Sequence, residues 1–405
     1  MKKRLTAALL CFFALSAGIF GAEITVPSLD LISRGGMENK DFSIRSSMET
    51  EIAISGGYKF SISLGLGAEI PDLGKALSYG SVNFTDPLSN DDIKELNDRL
   101  NNQAAISVQS INATIREVFG KPLEISFFIG RYDKLGSGDE FQEYFGTEQI
   151  GTSLRGFFYY PDGLNNDPFF RFNGAIHSIM GTGLAFKASL GNFIPSLYVY
   201  HDHSFHKDQG GSYDPGHYST DFKLLANGEN AKFELFGGFT YANHTKNSIR
   251  GGALAWFGTG PLSFLLQAGV TNFELGSAIG INNCYFLMEP RLHYNKFGAI
   301  LTFFYRPLYF INRKIMDDGS LAEGRADIKL RLFYGDISKS AFEAGVETII
   351  NLKVENGDSF KLWVSPFLST VTTGLQWDFA LRFNPLYFQD KGDLMEGFIG
   401  IRTSF

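Results

Sequence analysis

The chain has 405 residues, a formal net charge of −7, and aromatic and charged fractions of 15% and 20%. An acidic chain of this kind excludes nucleic acid as a natural partner, because phosphate recognition needs a basic surface. Its two cysteines are Cys11, in the apolar N-terminal stretch, and Cys284, so an intramolecular disulfide in the mature chain is excluded as well.

The first 22 residues have the organisation of a secretory signal peptide. Three basic residues at positions 2–4 precede an uncharged apolar run at positions 5–20, and small residues follow at Gly21 and Ala22. We therefore predict cleavage after Ala22 and a short N-terminal periplasmic segment over 23–41. No later uncharged apolar run reaches the ~20 residues of a membrane helix, so any membrane crossing requires a closed β-barrel.

The remainder of the chain has a period of two. Apolar residues occupy every second position from Tyr58 to Ala68, and polar or small residues alternate with them from Lys59 to Glu69. Successive side chains of a strand point to opposite faces, so one face is apolar and the other polar. Similar runs of ~10 residues recur to the C-terminus, the length of a tilted membrane-spanning strand. A soluble β-sandwich, the alternative, has strands of only ~5–6 residues.

The predicted fold is all-β: a transmembrane antiparallel up-and-down β-barrel over 42–405 with about 16–18 strands, range 14–18. Short turns alternate with longer polar loops, as in barrels with short periplasmic turns. An even strand number places both termini in the periplasm. The candidate strands are 42–54, 58–69, 104–118, 122–133, 150–160, 181–190, 193–203, 217–227, 231–241, 249–258, 262–272, 284–294, 298–310, 326–334, 341–352, 359–370, 375–384 and 395–405.

The connection over 70–103 interrupts this rhythm. A short helix is predicted near 90–102, since Ile93, Leu96 and Leu100 fall on one helical face. Counting strands from residue 42 puts this insert on the periplasmic side. Two interpretations remain open: a cap on one hairpin, or a segment that folds into the pore and narrows it.

The C-terminal strand carries a family resemblance. The chain ends MEGFIGIRTSF, in which the terminal Phe405 closes an alternating strand that includes Ile399 and Ile401. This ending resembles the last strand of bacterial outer-membrane β-barrel proteins, although Thr403 replaces the usual bulky residue. The resemblance implies a location in the bacterial outer membrane, porin-like architecture, and recognition of Phe405 by the barrel-assembly machinery.

A barrel of 16–18 strands can enclose an aqueous channel. The sequence therefore favours a porin-like channel for passive diffusion of small hydrophilic solutes, with charged residues on the inferred inward faces. The same charges could instead pair across strands and hold the wall together. The candidate pore-lining residues are Arg45, Glu49, Glu51, Lys59, Lys232, Glu234, Glu289, Arg291, Arg306, Lys329, Arg331, Glu343, Glu347, Lys361, Asp378 and Arg382.

Two other functions fit a barrel. One is a substrate-specific or hydrophobic-compound transporter similar to fatty-acid channels, for which 23–41 is short as a plug. The other is a surface-exposed structural or adhesion barrel without transport. An enzyme is not predicted, because no nucleophile, base and orienting partner can be assigned. Expected partners are the lipid bilayer, lipopolysaccharide-type or other outer-leaflet lipid, and small solutes; a homo-oligomer is compatible with an apolar outer face.

Histidines and aromatic residues give two weaker signals. His201, His203, His206 and His217 lie within 17 residues with several aspartates, a composition that suits a divalent metal but also a solvated loop. No cofactor motif is found, and Cys284 is interpreted as a small apolar residue on a strand. Aromatic residues near strand ends are interpreted as an interfacial girdle, and these include Tyr198, Tyr200, Trp256, Trp363 and Trp377.

Overall fold

The computed structural model describes residues 23–38, 41–70, 105–148, 150–154, 174–203, 217–242, 247–306, 325–337, 341–353, 361–386 and 395–404. Almost all regular structure in these ranges is β-strand, with one short α-helix, α1 (Glu140–Phe145), and 3₁₀ turns at Val118–Gly120 and Ile281–Asn283. In the part of the chain described, no helix is both long and apolar enough to cross a membrane. The strands are β1 (Glu23–Glu38), β2 (Asp41–Ser55), β3 (Phe60–Ile70), β4 (Ala105–Ile115), β5 (Leu123–Leu135), β6 (His177–Ala188), β7 (Phe193–Asp202), β8 (His217–Asn227), β9 (Ala231–Ala242), β10 (Ser248–Thr259), β11 (Leu262–Glu274), β12 (Cys284–Tyr294), β13 (Phe297–Arg306), β14 (Arg325–Asp336), β15 (Phe342–Lys353), β16 (Lys361–Thr372), β17 (Leu375–Phe383) and β18 (Met395–Ser404).

The 18 strands form one closed antiparallel barrel. Each strand pairs with its neighbours in sequence, and β1 pairs with β18 to close the ring. Closure leaves no sheet edge, which a lipid environment requires because it supplies no hydrogen-bond partner. The predicted fold class and a strand number at the top of the predicted range are both confirmed.

The period of two in the sequence decides which side chains face out. On β9, Phe233, Leu235, Phe239 and Tyr241 are 39–50% exposed, whereas the alternating Glu234 is 1% exposed. The neighbouring strand β8 repeats the pattern, with exposed Tyr218 and Phe222 between buried polar residues. The apolar outer face thus suits lipid, and the polar face is directed into the barrel.

Residues 23–38 correct the predicted domain boundary. They form β1 and pair along both flanks, with Leu31 opposite Ile401 of β18 and Met48 of β2. The assignment of this stretch to a periplasmic segment was therefore wrong. Its alternation is obscured by Gly35-Gly36 and by an irregularity in the β1–β2 register between Thr25 and Ser28, which brackets a proline.

A second error compensates for the first in the strand count. The predicted strand 150–160 is absent from its described part, 150–154, which lies in the connection between β5 and β6. One strand gained and one lost leave the total at 18. Strands β2–β5, which lie between the two errors, therefore run opposite to the predicted direction. As a consequence, β3 ends and β4 begins at the end of the barrel that carries the longer loops, and the connection 71–104 joins them there. The periplasmic placement of this insert was wrong; the helix near 90–102 lies outside the described residues.

The predicted turn rhythm is otherwise confirmed. Connections of two residues join β12 to β13, β16 to β17 and β10 to β11 at the end where β1 begins and β18 ends. In one of them Thr373 and Gly374 have φ values of 53° and 80°, as a two-residue hairpin with positive φ at both central positions requires. Short turns mark the periplasmic end of such barrels. The signal peptide, residues 1–22, lies outside the described residues and stays a prediction.

Candidate functional site: the barrel interior

The connection after β5 folds into the barrel. We call its described residues, 136–148 and 150–154, the luminal segment. It begins with Gly136 and Gly138, whose φ values of 72° and 75° favour glycine. Their N–H groups donate to the two carboxylate oxygens of Glu234 on β9, at 2.6 and 3.0 Å. A buried wall carboxylate therefore receives the start of the segment.

The end of the luminal segment is held by a second wall carboxylate, Glu289 on β12. The Ser153 N–H donates to it at 3.0 Å, and the Ser153 and Thr152 hydroxyl groups donate at 2.9 and 3.0 Å. Thr302 on β13 donates to the same carboxylate at 2.8 Å, and Arg291 donates at 2.8 Å. The Glu289 side chain is 0% exposed, so its carboxylate interacts with protein groups and not with solvent.

Three donors from the wall satisfy carbonyl groups of the same connection. Gln267 on β11 donates to the Gly136 carbonyl at 2.6 Å. Arg291 donates to the Gly151 carbonyl at 2.6 Å, and Lys329 on β14 donates to the Ser153 carbonyl at 2.9 Å. Buried backbone groups outside regular structure need such partners. The luminal segment is thereby fixed to strands from β9 to β14.

Helix α1 is held by two lysines that lie on other strands of the wall, β6 and β8. It ends at Gly146, which has φ 62° and donates its N–H to the Gln142 carbonyl, a common helix C-terminus. Glu140, its first residue, forms ion pairs with Lys187 of β6 and Lys223 of β8. Lys223 also donates to Asp133 of β5 at 2.6 Å.

Aromatic rings complete this cluster. Tyr198 of β7 donates its hydroxyl to Asp133, and the Lys187 ammonium lies 5.6 Å from the centre of the Tyr144 ring in α1. Burial raises the pKa of the Tyr144 phenol above its ordinary value, which keeps the ring neutral beside the cation. The helix is thus attached to the wall by both charge and packing.

Apolar packing fills the space between the luminal segment and the wall. Phe141, Ile150 and Leu154 from the segment are at most 2% exposed and join buried wall residues such as Phe128 and Leu254 in one cluster. A core of this kind is normal for a soluble domain and here lies inside the barrel. We call strands β5–β14, which face the luminal segment, the packed arc.

Ion pairs continue along the wall beyond the packed arc. Glu347 on β15 accepts from Lys329 at 2.9 Å and from Arg331 at 2.6 Å, and Arg331 also pairs with Glu343. Farther round, Glu396 on β18 pairs with both Arg382 of β17 and Arg34 of β1. These inward-facing charges alternate in sign across neighbouring strands, which supports the wall.

Strands β1–β4 carry inward charges that stay partly exposed to solvent. We call these strands the open arc, together with Arg131 and Arg402 on the flanking strands β5 and β18. Side-chain exposure is 56% for Asp30, 37% for Glu49, 45% for Arg131 and 31% for Arg402. Arg131 donates to Glu49 at 3.1 Å, and Arg402 lies 3.2 Å from Asp30. Charges of both signs are accessible to solvent here.

The candidate pore-lining residues fall into four groups. Arg45, Glu49 and Glu51 lie on the inward face of the open arc. Lys59 does not lie on the wall: it precedes β3 in a turn, is 70% exposed and lies 3.5 Å from Glu117. Arg306 and Lys361 end or begin strands, and their side chains lie outside those described. The others are mostly buried in contacts within the wall or with the luminal segment: Lys232, Glu234, Glu289, Arg291, Lys329, Arg331, Glu343, Glu347, Asp378 and Arg382.

Several interior residues were missed from the sequence. Asp30 and Arg34 lie on the unrecognised strand β1. Lys223 alternates correctly within a predicted strand and could have been found, but its partner Glu140 lies in an irregular connection. Tyr198, Tyr200 and Trp363, assigned to an interfacial girdle, are buried on the inward face at 0%, 3% and 5% exposure, so that assignment was wrong for them.

The histidine cluster is divided by the barrel wall. His201 faces outward beside Tyr218, with ring centres 5.1 Å apart, whereas His217 is buried on the inward face. His203 lies near His201, with ring centres 5.4 Å apart. Among the described residues no group of three or more potential ligands is arranged to hold a metal ion. His206 and the terminal Phe405 lie outside the described residues.

Comparisons with known proteins identify the architecture. No protein-family model matches the sequence, and no curated protein matches it. Among solved structures, Pseudomonas aeruginosa OccK8 (OprE) is similar with a TM-score of 0.53, and Acinetobacter baumannii OccAB2 with 0.52. Each is 10% identical, and each comparison covers 95% of this chain and 98% of the other. The chain therefore shares its fold with the Occ and Opd structures, and its own barrel has 18 strands.

Proposed function

We propose that this barrel is a channel through which small hydrophilic solutes cross the outer membrane by passive diffusion along the open arc. The observation that carries the proposal is the asymmetry of the interior. The luminal segment is held against the packed arc, while Asp30, Glu49 and Arg131 keep accessible charges on the opposite side. A barrel of 18 strands is wide enough for water beside such a segment.

The luminal segment has the role of a fixed constriction in this proposal. Its backbone is held by Glu234 and Glu289, and its helix by Lys187 and Lys223. Because these contacts are buried and charge-assisted, the segment stays in one position and narrows the lumen permanently. The solutes meet the charges of the open arc, which include Arg45, Glu49 and Glu51 from the predicted pore-lining set.

The same packing argues against a hydrophobic-compound transporter that carries its cargo through the packed arc. Phe128, Phe141 and Leu254 are each 0% exposed, so the apolar surface within the barrel is already covered by the protein itself. No catalytic role is proposed. Membrane lipid, the barrel-assembly machinery acting on Phe405, and other copies of this chain are proposed partners.

Single-channel recording in a planar bilayer tests the channel. Refolded protein whose folding is verified by heat-modifiable gel mobility should give steady conductance steps. Silence from folded protein would overturn the proposal and favour a structural or adhesion barrel.

Thiol labelling then locates the path. In a Cys284→Ser background, Arg131→Cys should lose conductance when a bulky sulfonate thiol reagent is attached. Phe239→Cys, on the lipid-facing side of β9, is the matched control and should not respond. Equal conductance of labelled and unlabelled Arg131→Cys would place the path elsewhere.

A further inference from the structure

A depression in the outer wall provides a site that the channel does not use. It encloses about 880 Å³ and spans β16, β17, β18, β1 and β2. Its floor contains Gly35 and Gly397, which face each other across the β1–β18 pair; the space above Gly397 is open, and the Phe42 ring packs over Gly35. Its rim is formed by apolar residues that face outward, among them Phe42, Phe379 and Met395.

The wall beneath this depression has an interrupted ladder. The β16–β17 pairing contains Val364 with Phe383 and Phe367 with Ala380, but no pair for the two residues between them on either strand. Pro366, one of these residues, lines the depression and has no N–H to donate. The β16–β17 ladder is therefore discontinuous at the depression.

An apolar cluster backs the depression on the inward side. It contains Phe367, Ala380 and Phe398, which are 3–8% exposed and also contribute to the floor. A ligand in the depression would therefore contact apolar atoms on its sides and its base. The chemistry that fits is an unbranched hydrocarbon chain, which offers no polar group and needs none.

The position of the depression in the wall indicates the source of that chain. Gly397 is the third residue of β18, counted from the end that carries the longer loops, and Phe42 is the second residue of β2 at the same end. The longer loops mark the outer surface of such barrels. The depression is therefore continuous with the lipid-facing belt at the level of the outer leaflet, where acyl chains are the solvent.

We propose that this depression, the Gly35–Gly397 groove, binds one acyl chain of an outer-leaflet lipid. A lipid chain fills a concave site on a convex barrel, whereas a second barrel would need a projecting element to enter it. Association within a membrane rests on close packing, to which small residues such as glycine contribute by allowing near approach.

Gly397→Leu is the direct test because a side chain at this position fills the groove without distorting the wall. No atom lies within 4 Å of a Cβ added at Gly397, and its φ is not in the left-handed region. Gly237→Leu is a matched control: Gly237 faces outward on β9, and the nearest atom to its added Cβ is 3.9 Å away. Gly397→Val is a second, smaller filling variant if the leucine impairs folding.

The measurement is native mass spectrometry of delipidated barrel in detergent, titrated with dipalmitoyl phosphatidylethanolamine and with its dihexanoyl analogue. We expect the wild type and Gly237→Leu to retain the long-chain lipid and to bind the short-chain analogue weakly. Gly397→Leu should bind the long-chain lipid at least about tenfold more weakly, because packing contacts along the chain are lost. Equal binding by all three proteins would overturn the proposal.

A different result would assign the groove to another occupant. If Gly397→Leu converts an oligomer to a monomer while Gly237→Leu does not, the groove is an interface between copies, and the acyl-chain proposal is wrong. Channel conductance is read separately on the same variants and is expected to be unchanged, so failure of the channel and failure of the lipid site are distinguishable.

Discussion

The packed arc and the open arc both consist of antiparallel strands with an inward polar face, yet they use their inward charges differently. Glu289 of the packed arc is fully buried and accepts hydrogen bonds from β12, from β13 and from the luminal segment. Glu49 of the open arc is 37% exposed and contacts the partly exposed Arg131. An inward charge on a barrel strand can therefore serve the structure or the solute, and tertiary contacts decide which.

The largest effect is expected from removing β1, the closing strand of the open arc. Deletion of residues 23–38 should abolish the folded barrel, because β2 and β18 would present unpaired backbone groups to lipid, at several kcal/mol per group. Heat-modifiable gel mobility and circular dichroism measure the folded fraction. Deletion of residues 23–25 alone, at the periplasmic end, is the control and should fold. A folded barrel without 23–38 would show that the open arc is not closed by this strand.

The next largest effect concerns stability of the packed arc. Glu289→Ala should lower the free energy of unfolding by about 3–5 kcal/mol, because Arg291 and the hydroxyl and amide donors lose a buried charged partner. Glu51→Ala in the open arc should change it by within about 0.5 kcal/mol. Urea unfolding in detergent micelles measures both. A similar decrease in the free energy of unfolding for the two variants would show that the two arcs do not differ energetically.

A smaller effect is expected on ion selectivity. Glu49→Gln should shift the selectivity measured in a salt gradient toward anions, since an exposed charge acts on a passing ion with about 1 kcal/mol at 4 Å in water, a factor of at most about five. Glu347→Gln, whose carboxylate is enclosed by Lys329 and Arg331, should leave the reversal potential nearly unchanged. The opposite order of effects would place the solute path along β15 instead.

The smallest effect is expected from breaking the exposed ion pair. Arg131→Gln should lower the free energy of unfolding by no more than about 1 kcal/mol, because both side chains remain hydrated, and high salt should weaken the effect further. Lys223→Gln is the buried comparison and should lower the free energy of unfolding by about 3 kcal/mol or more, since Asp133 and Glu140 lose one of the two lysines that they share. A large decrease in the free energy of unfolding of Arg131→Gln that does not depend on salt would indicate that the open arc is packed like the rest of the wall.

The predicted outer face was accurate because it depends only on the local period of a strand. Lipid requires apolar side chains at every second position, and Phe233, Leu235 and Phe239 satisfy this wherever the strand lies in the ring. The same rule found Glu49, Glu234 and Glu289 on inward faces. Strand β1 escaped because Gly35-Gly36 and the irregularity near Thr25 break the alternation on which the rule depends.

The luminal segment could not have been predicted in this way. Residues 150–154 resemble the start of a strand, but Ser153 donates its N–H to a side chain on β12 instead of to a neighbouring strand. Nothing local distinguishes these outcomes, because the partner Glu289 is 136 residues away in the chain. Missing this connection also reversed the inferred direction of the strands that precede it.

The sequence alone determined that the chain is a β-barrel with an apolar outer face, since alternation, strand length and turn spacing are local consequences of crossing lipid with strands. Only the tertiary structure decided which inward charges are buried and which remain accessible. That choice depends on where the luminal segment lies, and its position is set by contacts between residues far apart in sequence, such as Glu140 with Lys223 and Ser153 with Glu289.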